Sequence, residues 1–188
     1  MIYQGSEKDV EDLYLLKEEK ELKDLKEALK LKQPISSLVN ICVTIDQSKC
    51  VMAIVDTISQ KTLKHTLSIS AGRGRVILIL FLLLKGKSAA LGLGIASSIV
   101  YGYSNIFVTA PSPENLKTLF QFIFKGLDAL NYQEHKDYDI LESTNPEFKN
   151  CVIRINIHRD HRQTIQYIQP QEYRNLSILG ILLLFCII

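Results

Sequence analysis

Apolar positions recur at three- and four-residue steps near the start of the chain. Between Glu7 and Lys32, Val10, Leu13, Leu22, Leu25 and Leu29 stand among dense Lys and Glu. That pattern predicts a solvated amphipathic helix ended by Pro34. A second helix is expected from Asp46, whose carboxylate can cap the first-turn amides, with Val51, Ile54, Val55 and Ile58 on one face. The period then changes. Thr66 to Ser70 alternates as a strand does, and a turn of glycine and arginine follows, Ala71-Gly72-Arg73-Gly74-Arg75. Ser88 to Tyr103 is small, apolar and helical in character, and Asn105 to Ala110 reads as a buried strand. Ser112 and Pro113 suit the cap and first position of a helix with the stripe Leu116, Leu119, Phe120, Ile123, Phe124 and Leu127. Asn131 to Asn150 reads as polar loop. Val152 to Ile157 and Thr164 to Gln169 alternate about a basic turn, His158-Arg159-Asp160-His161-Arg162, which predicts a hairpin. Strand, glycine turn, helix, strand, helix, strand is the order of an α/β domain with a largely parallel sheet.

Composition bounds this picture without redirecting it. The chain has 188 residues, 47% hydrophobic and 22% charged, enough for one ordinary domain with a buried core. Its formal net charge of +2 is too small to indicate a nucleic-acid partner by itself. Cys42, Cys50, Cys151 and Cys186 form no C-x-x-C pair, so reduced thiols of a cytosolic or nuclear protein are expected rather than a zinc or disulfide framework. No signal peptide is expected from Met1 to Glu11, which mixes acids and bases. Two runs are strongly apolar, Val76 to Leu84 and Leu176 to Ile188. Both fall short of the roughly 17–25 residues a membrane-spanning helix needs, so no confident membrane association is expected.

One constellation carries chemistry. Gly86-Lys87-Ser88 opens the small-residue helix, as in a phosphate loop, where backbone amides wrap phosphates, lysine reaches the outer ones and the hydroxyl holds magnesium. The tripeptide alone is weak, and here the loop is split: Val76 to Lys85 separates it from the glycine turn. With that stretch removed the text reads ISAGRGRGKSAALGLGIA, a strand, a phosphate loop with Ala71 in the first-glycine position, and a helix.

The joined text, with YGYSNIFVTAPSPENLKTLFQFIFKGLDALNYQEHKDYDI and VIRINIHRDHRQTIQYIQP, closely resembles the RNA cytidine acetyltransferase family, in its eukaryotic nucleolar branch. The resemblance runs from about Lys61 to Tyr173. It implies a partial P-loop NTPase module, helicase-like, with a three-layer parallel sheet, placed before an acetyltransferase domain. Family enzymes use ATP, Mg2+ and acetyl-CoA to acetylate cytidine in rRNA and tRNA, in the nucleus and nucleolus. By the resemblance, Gly74, Arg75, Gly86, Lys87, Ser88 and Ala89 match the ATP-binding loop, with Lys87 on the outer phosphates and Ser88 on magnesium. The acetyl-CoA site lies far downstream in the family and has no counterpart here. No catalytic residue is assigned.

The resulting division is a charged helical linker over 1–34, a helical segment over 35–66, an incomplete ATP-binding domain over 67–173 interrupted at 76–85, and a divergent apolar tail over 174–188. Insert and tail share a composition of Leu, Ile, Val and Phe, as read-through of two short introns would produce. The insert is expected to separate Gly74 from Lys87 and disable the loop. Three function classes therefore stand side by side: an ATP-binding module of an RNA-modifying enzyme, an inactive product of an unspliced transcript, and a protein anchored by its tail. His158, Asp160 and His161 make a poor metal site because Arg159 and Arg162 charge the same turn. Contact of Arg159 and Arg162 with RNA phosphate, or an ordinary solvated turn, are the remaining readings. Arg73 and Arg75 beside the loop favour nucleotide over RNA, and Ser112 reads as a helix cap.

Overall fold

The computed structural model describes residues 7–60, 77–169 and 182–186. The charged N-terminal segment forms helix α1, Glu7–Ala28. It stops six residues short of Pro34, which instead opens the short helix α2, Ile35–Ile41. The Lys26 ammonium ties the two together, donating to the carbonyls of Asn40 (3.1 Å) and Cys42 (2.7 Å) at the end of α2. Helix α3 spans Ile45–Ser59. Its cap is Thr44 rather than Asp46: Thr44 Oγ1 accepts from the Gln47 amide at 3.2 Å, and the Gln47 side chain accepts from the Val43 and Thr44 amides. This reciprocal capping box satisfies more orphan donors than a lone aspartate two positions further in could reach. Val51, Ile54, Val55 and Ile58 are buried as the periodicity requires.

Helix α4, Ile77–Val100, leads into strand β1, Asn105–Thr109. A 3-10 turn at Pro113–Leu116, capped by the Ser112 hydroxyl, passes into helix α5, Lys117–Ala129. Leu116, Leu119, Phe120, Ile123 and Leu127 of that stripe are buried, each contributing about 1.5–3 kcal/mol. Strands β2 (Tyr138–Glu142), β3 (Val152–Ile157), β4 (Gln163–Ile168) and β5 (Leu182–Cys186) complete a sheet of order β2-β3-β4-β1-β5. Ile106, Val108, Ile155, Ile157 and Ile165 form one apolar core with residues of α3, α4 and α5.

The sheet is mixed, which corrects the expectation of a parallel one. β1 runs parallel to β4 and to β5, but β2 and β3 are antiparallel additions at one edge. The β3–β4 hairpin was legible from its alternation. β2 was not: it falls within the expected loop of residues 131–150, because Tyr138-Asp139-Ile140-Leu141-Glu142 is a short, charged edge strand with only one face against the core. The expected strand over 66–70 and its glycine turn lie outside the described residues.

Helices α3, α4 and α5 run in the same direction. Gly86 lies beside Gln47 at the start of α3, Gly94 packs on Ile54, and the Tyr103 hydroxyl just past α4 donates to Ile58 O at 2.9 Å near the end of α3. On the other side Gly92 meets Leu119 and Ile123, and Gly126 meets Ala96. A methyl group at Gly92 would lie 2.7 Å from Leu119 O and from Phe122 Cβ. Gly92→Ala should therefore destabilise by about 1–3 kcal/mol, despite a gain of roughly 1 kcal/mol in helix propensity. A thermal unfolding midpoint equal to or above that of the parent chain would show that α4 and α5 are not in this contact.

Candidate nucleotide-binding edge and basic turn

β1 ends at Thr109, and α5 starts from that end of the sheet. Since α3 and α4 run with α5, residues 86–88 sit at the same end, the carboxyl edge of β1 and β4. That is the edge where open α/β sheets bind ligands. Ser88 is half-buried, while Ala89 and Ala90 are 1% exposed and pack into the helix layer. The Thr109 hydroxyl is buried at the same edge without a hydrogen-bond partner among the described residues. Sequence reading passed over Thr109, since an isolated threonine in a strand carries no signal of its own.

The local backbone differs from a phosphate loop. Gly86, Lys87 and Ser88 do not open a helix; they lie inside α4, which begins at Ile77. Residues 77–85 of the insert continue the helix, neither looping out nor breaking it. Nine residues at 1.5 Å each put the helix start about 14 Å before Gly86. Amides at 86–88 then bond to carbonyls one turn back and are not free for an anion. As arranged, these residues do not form a phosphate cradle. Gly74 and Arg75 lie outside the described residues.

Arg159 and Arg162 are on the β3–β4 turn, at the opposite edge of the sheet. The length of β4, six residues at about 3.3 Å, sets roughly 20 Å between the two groups of predicted residues. Arg159 is exposed yet fixed: Nη1 donates to Asn131 O at 2.8 Å, and the guanidinium lies 4.7 Å from the Tyr132 ring centroid. Arg162, Asp160 and His161 are exposed. His158 Nε2 is 2.8 Å from Asp139 Oδ2 on β2. No group of three or more His, Cys, Asp or Glu among the described residues could hold a metal ion. Gln163, buried at the foot of β4, donates to Ile99 O (2.9 Å) and Tyr103 O (3.1 Å), closing the end of α4. That role was invisible in the sequence because its partners are 60 and 64 residues away.

Burial raises two phenols near this turn. Tyr132 is pushed up by burial, then by the carboxylate of Asp160, with Arg159 opposing and Asp137 adding. Tyr138 is pushed from 10.0 to about 12 by burial, with Asp128 and Glu134 adding. Burial likewise raises the thiol of Cys42, which stays protonated.

Fold and site together define an α/β domain with a mixed sheet, an edge suited to a ligand and a basic turn opposite. The family model for "RNA cytidine acetyltransferase NAT10/TcmA, helicase domain" matches residues 68–183. The RNA cytidine acetyltransferase of Saccharomyces cerevisiae is 55% identical over 167 residues, covering 89% of this chain and 15% of the yeast protein. The human protein of that name is 56% identical over 152 residues, with 81% and 14% covered. That of Schizosaccharomyces pombe is 59% identical over 151 residues, with 80% and 14% covered. The chain therefore belongs to the RNA cytidine acetyltransferase family and corresponds to a piece of its helicase-like region. It spans about 15% of the length of these relatives.

For Tyr138 the sign is that of an acid whose neutral form the fold prefers. Its contribution to stability is complete below pH 10 and is lost as pH rises through about 12. Titration of phenolate absorbance in the native chain should show a late component that Tyr138→Phe removes. A titration unchanged by that substitution would contradict the assignment.

Proposed function

We propose that this chain is the interrupted ATP-binding part of a helicase-like module, in an enzyme that uses acetyl-CoA to acetylate cytidine in rRNA and tRNA. The observation that carries the reading is the position of residues 86–88, at the carboxyl edge of β1 with Gly86 beside Gln47 in the first turn of α3. In an uninterrupted chain α4 would begin near Ser88. The amides of 86–89 would then be free, Lys87 would meet the outer phosphates, and Ser88 would take Mg2+. Gly74 and Arg75 would close the other side. Such a module fits the three-layer P-loop architecture and a place in the nucleolus. Arg159 and Arg162 serve RNA at the far edge.

In the chain as it stands, helical continuation from Ile77 through Lys85 occupies those amides. Freeing them means breaking about three helical turns of Leu and Ile, which have no reason to unwind. We therefore read this form as unable to bind ATP tightly. An anchored form receives no support: residues 182–186 of the tail are taken up as strand β5 alongside β1, and among the described residues no helix is long and apolar enough to cross a membrane.

Calorimetry with Mg-ATP tests the reading directly. The full chain should show no measurable heat of binding, whereas a chain lacking Val76 to Lys85 should bind, and Lys87→Ala in that shortened chain should abolish it. Equal affinity of the full and shortened chains would overturn the proposed interruption. Absence of binding in both would overturn the nucleotide site itself.

A further inference from the structure

Below the β3–β4 turn lies an open cleft of about 400 Å3, between the ends of α4 and α5 and the start of α2. Pro34, Val100 and Leu130 give it an apolar wall, and Gln33 and Asp160 bring polar groups to its rim. The volume is within the roughly 300–1,000 Å3 range of small-molecule clefts. Tyr132 and Arg159 belong to the same lining. Their contact, with the guanidinium carbon over the ring 4.7 Å from its centroid and the group bonded to Asn131 O, holds a flat cation at an exposed position. A flexible lysine could not be fixed in this way.

We propose that this cleft takes an unpaired base of single-stranded RNA, stacked on the Arg159 guanidinium, while Arg162 on the same turn meets the flanking phosphate. Three features select this ligand. A guanidinium plane backed by an aromatic ring stacks well on any nucleobase. The turn carries two exposed arginines, Arg159 and Arg162, against the carboxylate of Asp160, while the Asp139 carboxylate of β2 is engaged by His158, so the exposed arginines offer positive charge to a phosphate chain. Finally, the cleft is open to solvent, so a base of a flexible single strand can enter it from outside, which a base paired inside a duplex cannot do. The site lies across the sheet from residues 86–88, so RNA and nucleotide would engage opposite edges of one domain. The inference rests on the RNA-modifying reading above for its choice of nucleic acid.

Fluorescence anisotropy with a labelled single-stranded oligoribonucleotide of mixed sequence, and with its duplex, tests this on the full chain. Single strand should bind more tightly than duplex. Arg159→Ala should weaken single-strand binding roughly tenfold, the loss of one stacked base. Arg159→Lys should weaken it nearly as much, although charge is kept. Arg162→Ala, which removes a side chain exposed on the turn, should lower the salt slope of log affinity by about 0.7. Near-ultraviolet circular dichroism checks that each variant keeps its fold. If Arg159→Lys binds as the parent does, stacking is refuted and only charge remains. Binding unaltered by every variant would place RNA elsewhere and overturn the site while leaving an RNA-binding module standing. Equal competition by polyglutamate would mark a general polyanion surface and also overturn it. Failure to bind any RNA would overturn it outright, independently of the calorimetric test of the ATP edge.

Discussion

Helix α4 is held between α3 and α5 by contacts that only side chains smaller than usual permit. At Gly94 an added methyl would meet Ile54 Cγ2 at 2.7 Å, and at Gly126 it would meet Ala96 Cβ at 2.6 Å. These approaches bring helix axes close enough for Leu93, Ile95 and Ala96 to be buried completely. They also fix the register of α4 along its neighbours. The register in turn determines where residues 86–88 stand relative to the sheet. Interdigitated packing of this kind has discrete solutions, so α4 cannot slide to absorb residues added before it. Material inserted ahead of Gly86 must project beyond the domain and leave the packed part in place.

That constraint explains how an insert can leave the fold intact and remove the chemistry. From Ser88 onward, every contact of α4 with the sheet and with α5 is compatible with a helix beginning there. What changes is the state of a few amides. At a helix start they point outward and carry the positive end of the dipole; one turn further in, each is bonded to a carbonyl. An anion site made of backbone is therefore sensitive to helix length in a way that a site made of side chains is not. Lys87 and Ser88 are still present, but their residue types do not suffice without the helix start.

Legibility in the sequence followed the same division between local and non-local causes. The stripe from Leu116 to Leu127 and the alternation of Val152 to Ile157 are local patterns, and both became the expected elements. The Ser112 cap is local as well. By contrast, β2 exists because Ile140 pairs with Ile155 on a distant strand, and no period within residues 131–150 announces it. Val76 to Leu84 shows the other limit: a run of Leu and Ile reads equally as strand, span or helix until its continuation is known. The placement of the cap at Thr44 depended on Gln47 reaching back, a pairing that a search for acidic caps overlooks. Tyr132 carried no mark at all, since its importance comes from Arg159, which the fold alone brings beside it.

The two proposed sites, at opposite edges of the sheet, differ in what they depend on. The carboxyl edge depends on backbone, and so on where helices begin; the β3–β4 turn depends on side chains carried by a hairpin. β3 and β4 are joined by a five-residue turn and pair over most of their length, so the turn is held by the sheet and owes nothing to α4 upstream of Gly86. Gln163 ties α4 to the foot of β4 by donating to Ile99 O in its last turn and to Tyr103 O just beyond it, at the end of the helix that the insert does not reach. An extension at one end of α4 can thus close the proposed nucleotide edge and leave the opposite edge in its native geometry. Loss of one binding function would then not entail loss of the other.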